Sequence, residues 1–155
     1  MTREQAARII EESFREAIKE YSDILAGSVY NTIYKTPQSG WYDRTGDFFL
    51  SVSNPYFKIG NNTIEFDVYN TDYIHARNGT PGKFGHHRSF PWSHPYPSDK
   101  VVRENLFDWL NNGFTILGKK RHPGFHFFNN NMDLSKRLTK MVAQKMYQKI
   151  KEVTR

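Results

Sequence analysis

The chain has 155 residues, a length suited to one domain that buries roughly 70% of its unfolded surface on folding. Its 22 Lys+Arg against 16 Asp+Glu give a net charge of +6 and a pI near 9.5, which favours acidic partners without selecting nucleic acid among them. The absence of cysteine excludes a disulfide scaffold, a thiolate zinc site and thiol catalysis, and fits a reducing compartment.

The start of the chain, Met1-Thr2-Arg3-Glu4-Gln5, leads directly into charged sequence without the apolar core of a signal peptide, and no apolar run is long enough to span a bilayer. A soluble protein made in the cytoplasm is expected. Thr2 and Gln5 have the T-x-x-Q spacing of a capping box. Ile10, Phe14, Ala17, Ile18, Tyr21, Ile24, Leu25 and Val29 then recur at three-to-four spacing, predicting a helix over 2–35, ended by Pro37. Glu4, Glu11, Glu12, Glu16, Glu20 and Asp23 outnumber the bases in its first 25 residues, so its outer face is acidic.

The middle of the chain reads as sheet, over 47–77 and again at 114–118. The runs 48–53, 56–59 and 63–69 are short, aromatic and β-branched, and the last two flank Gly60-Asn61-Asn62 as a hairpin would. A short helix is predicted over 99–111, ended by Asn111-Asn112-Gly113, with a strand at 114–117.

Between them, the stretch 78–99 carries Gly79, Gly82, Gly85, Pro81, Pro91, Pro95 and Pro97 together with Phe84, Phe90, Trp92 and Tyr96. Such Gly/Pro density opposes regular structure, while four large aromatics favour burial against some surface. This predicts an extended arm that docks on a neighbour. A terminal helix is predicted over 132–154, with Leu134, Leu138, Met141, Val142, Met146, Ile150 and Val153 on one stripe, and with seven bases against two acids from Met132 to Arg155. The fold class is therefore α+β: a small, mainly antiparallel sheet packed against long N- and C-terminal helices, with a Gly/Pro/aromatic arm. Opposite charges on the two terminal helices suit head-to-tail contacts between copies of the chain.

Candidate chemistry is sparse. His75, His86, His87, His94, His122 and His126 invite a metal reading, but Pro123-Gly124 breaks the one helical spacing, and no carboxylate lies between Tyr73 and Tyr96. No nucleophile elbow, P-loop or dinucleotide-binding glycine pattern occurs. Glu65 and Asp67 alternate on a predicted strand and, with His75, form the alternative of a metal-dependent nuclease; a solvated strand face is the simpler reading. The basic terminal helix forms the alternative of nucleic-acid binding through phosphate contacts. Neither a cofactor nor a metal is expected.

Three segments in order carry a resemblance: Tyr42-Asp43-Arg44-Thr45-Gly46-Asp47-Phe48, Tyr73-Ile74-His75-Ala76-Arg77-Asn78-Gly79-Thr80, and His122-Pro123-Gly124-Phe125-His126-Phe127. Their order resembles the phage tail-completion, or head–tail joining, family of minor tail proteins, over nearly the whole chain. Members of that family have a long helix, an R/P-T-G element opening a strand, a Y-A-x-x-x-x-x-G-T-like stretch ending a later strand, and a P-F-like element leading into the terminal helix. Thr45-Gly46 and Gly79-Thr80 match this pattern. Arg77-Asn78 stands where the family often has Glu, Pro123-Gly124-Phe125 where Pro-Phe is usual, and 81–97 looks like an insertion.

The resemblance implies a non-enzymatic virion protein that forms an oligomeric ring at the phage neck. Its neighbours would be connector or adaptor proteins and tail-tube or tail-terminator proteins, with DNA passing through the lumen. Candidate interface residues are Arg44, Thr45, Gly46, His75, Arg77, Gly79, Phe84, Arg88, Phe90, Trp92, Tyr96, Phe125 and Phe127. The aromatics would serve as buried anchors and the arginines as charge-assisted contacts.

Overall fold

The computed structural model describes residues 1–35, 46–60, 63–74, 99–116, 119–122, 124–128 and 134–154. Helix α1 (Arg3–Val29) starts at the expected capping box: the Thr2 hydroxyl accepts from the Gln5 amide at 3.2 Å, and the Gln5 side chain accepts from the Thr2 amide at 2.8 Å. The helix then widens into one π-type turn, Tyr30–Tyr34, in which the Lys35 amide reaches back to the Tyr30 carbonyl at 3.0 Å.

The buried stripe of α1 is displaced from the one hydrophobicity alone suggests. Ile9, Ser13, Ala17, Tyr21, Ser22, Leu25, Ala26 and Val29 are buried, whereas Ile10 and Ile24 are 39% and 40% exposed. Small side chains in the stripe allow other elements to approach α1 closely, and the Ser22 hydroxyl donates to the Val52 carbonyl at one such approach.

The run 48–53 is helical rather than a strand. Gly46 has φ +86°, and its carbonyl accepts from the Leu50 amide at 2.9 Å, opening helix α2 (Asp47–Ser53). Asp47 lies in the first turn, where the helix dipole favours negative charge, and Phe48 and Val52, four apart, are both buried. A short apolar run fits helix or strand equally by pattern, and packing against α1 decides it. Gly46 therefore begins a helix, where the sequence suggested entry into a strand.

Strands β1 (Tyr56–Ile59) and β2 (Ile64–Asp67) form the expected antiparallel hairpin, with Phe57 opposite Phe66 and Lys58 opposite Glu65. Both phenylalanines turn toward Ala17 and Ile18 of α1 and toward Leu138 and Val142 of helix α4 (Leu134–Val153). Sheet against two long terminal helices is thus the observed arrangement, and the chain is α+β.

Helix α3 (Asp99–Asn112) and strand β3 (Phe114–Ile116) also lie where expected. The partner of β3 is β4 (Lys119–His122), a Lys-Lys-Arg-His run with no apolar alternation to announce it. Among the described residues the strands form two separate two-stranded sheets, not one shared sheet over 47–77 and 114–118.

The main core joins Tyr21, Leu25, Val29 and Ile33 of the first helical segment to Phe48, Val52, Val68, Ile74, Leu110 and Phe127. At its centre the ring of Phe127 meets those of Phe48 and Phe107 edge-on, with centroids 5.4 and 5.2 Å apart.

Candidate functional site

Of the expected interface residues, Gly46, Phe125 and Phe127 are described; Arg44, Thr45, His75, Arg77, Gly79, Phe84, Arg88, Phe90, Trp92 and Tyr96 lie outside the described residues. Phe127 is a correction. It is 1% exposed and sits in the core, so it is no surface anchor, and Phe125 packs half-buried against the same cluster.

The segment Gly124–Phe128 closes the C-terminal end of α3. Gly113, at φ +83°, ends the helix with its amide 3.0 Å from the Trp109 carbonyl. The amides of Phe125 and His126 then donate to the carbonyls of Leu110 (2.8 Å) and Asn111 (2.9 Å), satisfying helix-end acceptors. The buried Asn111 side chain accepts from the Phe128 amide at 2.7 Å. Ser28 of α1 donates to the Phe127 carbonyl at 2.7 Å.

Gly124 makes this closure possible. It has φ +82°, and a Cβ there would stand 2.5 Å from the Asn111 carbonyl oxygen and 2.6 Å from the Asn112 carbonyl carbon. Gly124–Phe128 is therefore a folding element that closes α3. Asn111 is the residue that sequence reading treated only as part of a helix stop, although the Asn-Asn-Gly run marked its place.

Ile74 is buried, and its carbonyl accepts from the Arg103 guanidinium at 2.9 Å, one turn into α3. Just before it, the Asn70 amide donates to the Ser51 carbonyl at 2.9 Å, and the Asn70 side chain caps the amide of Asp72. On another surface, Tyr30 and Leu50 are each about half exposed, and the Tyr30 ring lies edge-on to Phe49 at 6.1 Å.

The opposite charges of the terminal helices are used within the chain. Lys145 lies 2.8 Å from Glu20, and Lys149 lies 2.9 Å from Glu16 and 3.2 Å from Glu12. Both lysine side chains are only 21% exposed, their stems lying along the helix seam. Hydrogen bonds from Arg8 and then Lys149 hold the Glu12 carboxyl below its usual range, and Glu16, then Glu12, push the Lys149 ammonium up. The seam thus uses charge that the sequence suggested for contacts between copies.

The carboxylates of the nuclease alternative are exposed on β2. Glu65 faces Lys58 across the hairpin, and Asp67 accepts from the Tyr69 amide at 2.9 Å. Among the described residues no three His, Asp or Glu side chains gather as a metal site would require, and no helix is long and apolar enough to cross a membrane. His126 is exposed with φ 52°, a conformation set by the turn it occupies. No known protein family, characterised protein or solved structure matches the chain.

Proposed function

We propose that the protein is a structural assembly subunit of the tail-completion or head–tail joining kind, working by binding rather than by chemistry. The supporting observation is the tie between Ile74 and Arg103 of α3, the described residues that flank the aromatic-rich stretch 75–98. In the sequence, a long segment bearing Phe84, Phe90, Trp92 and Tyr96 lies between Ile74 and α3, and Arg103 of α3 donates to the Ile74 carbonyl at 2.9 Å. A Gly/Pro-rich segment with this aromatic content suits an arm whose rings seat in pockets of a neighbour, since aromatics are among the residue types that most often dominate interface energy. The sequence order of the Gly79-Thr80 and Pro123-Gly124-Phe125 elements between two long terminal helices supports the same reading, while Gly46, which opens a helix, departs from it. Ring closure, virion location and contacts with connector and tail-tube proteins belong to this proposal.

The test is light scattering on the size-exclusion eluate of the purified chain, followed by mixing with phage tails that lack it. A ring-sized oligomer, or stoichiometric capture on tail ends seen by electron microscopy, is expected. A monomer that binds neither tails nor filled heads would overturn the proposal.

A further inference from the structure

We propose that the outer face of α4 docks on the phosphate backbone of duplex DNA. The helix divides its positive charge between two faces. Lys145 and Lys149 point into the seam and are neutralised by Glu12, Glu16 and Glu20. Arg137, Lys140 and Lys151 are exposed on the other side, and none of the ion pairs among the described residues involves them.

At 100° per residue, Arg137, Lys140, Gln144, Gln148 and Lys151 fall on one stripe that contains no acid, and Tyr147, 69% exposed, stands at its edge. With a rise of 1.5 Å per residue the stripe is about 21 Å long, or roughly six base-pair steps of a duplex. Arginine and lysine supply the charge for phosphates, and glutamine and tyrosine supply further donors to phosphate and sugar oxygens. A single tyrosine is too little for the successive stacking by which single strands are held, which favours a duplex. Nothing in this stripe is arranged to read base edges in a groove, so binding is independent of sequence. The inference stands on charge placement alone and does not rest on the assembly role.

The test is fluorescence anisotropy of a labelled random-sequence duplex against the full chain from 50 to 200 mM salt. Three phosphate contacts give a log–log slope near −2.7, a loss of roughly 40-fold across that range. R137Q/K140Q/K151Q should remain folded by circular dichroism and lose most of the binding and of the slope. K145Q/K149Q should melt at lower temperature yet bind DNA like the wild type. The inference is overturned if the wild type shows no salt-dependent binding, or if the outer-face variant binds as well as the wild type. Binding polyglutamate of equal charge at least as tightly would also overturn it, assigning the face to an acidic protein surface.

Discussion

Lys149, in the last turns of the chain, donates to Glu16 of the first helix across 2.9 Å, and through this pair the two ends of the protein are held together. Lys149→Glu places a third carboxylate beside Glu12 and Glu16 and should lower the melting temperature. Adding Glu16→Lys should recover part of the loss, and the coupling should shrink in 1 M salt. Calorimetry of the four proteins in this cycle checks it.

The same seam sets a pH profile. The Glu12 carboxyl is depressed in the folded state, so its contribution is present above its unfolded pKa of about 4.3 and is lost as pH falls through the lower folded value. The Lys149 ammonium is raised, so its contribution is present below about 10.4 and is lost as pH rises through the higher folded value. Melting temperature should therefore fall faster for the wild type than for Lys149→Met below about pH 4, as the Glu12 partner is protonated.

Two left-handed glycines separate backbone strain from crowding. Gly46, at φ +86°, has open space where a Cβ would go, so Gly46→Ala should cost only the left-handed penalty of about 1–2 kcal/mol. Gly124 has the same φ preference and backbone atoms within 2.7 Å of that Cβ, so Gly124→Ala must also displace the end of α3. Urea unfolding should show the second variant to be clearly the more destabilised.

Phe127 and Ile10 test where the core lies. Phe127→Ala should cost about 3–5 kcal/mol, as expected for emptying a fully buried aromatic site. Ile10→Ala, at a position 39% exposed, should cost less than about 1 kcal/mol. Equal losses in urea unfolding would contradict the observed stripe of α1.

Both terminal helices, α3 and the β1–β2 hairpin could be read from the sequence, because capping residues, apolar periodicity and a Gly-Asn turn each act over a few neighbouring positions. The α2 segment could not, because Phe-Phe-Leu-Ser-Val-Ser fits either periodicity and contact with α1 decides it. Strand β4 was hidden for a related reason: Lys119 to His122 pairs through its backbone and has no apolar pattern. Phe127 read as an interface anchor because it belongs to the His122–Phe127 segment that carries the resemblance, whereas Gly124–Phe128 is folded inward to close α3. The charge on the terminal helices was plain in the sequence, but whether it joins two copies or two ends of one chain depends on how the helices pack.

Removing residues 81–97 should leave the helical circular dichroism and the urea midpoint nearly unchanged, since Arg103 already ties Ile74 to α3. The same deletion should abolish binding to tails or connectors. Loss of cooperative unfolding would instead make the arm part of the core.

The most direct measurement is electron microscopy of phage particles produced with and without this gene. Filled heads and finished tails accumulating separately in its absence, and rejoining when the protein is supplied, is the predicted result. Normally joined particles without it would contradict the assembly role.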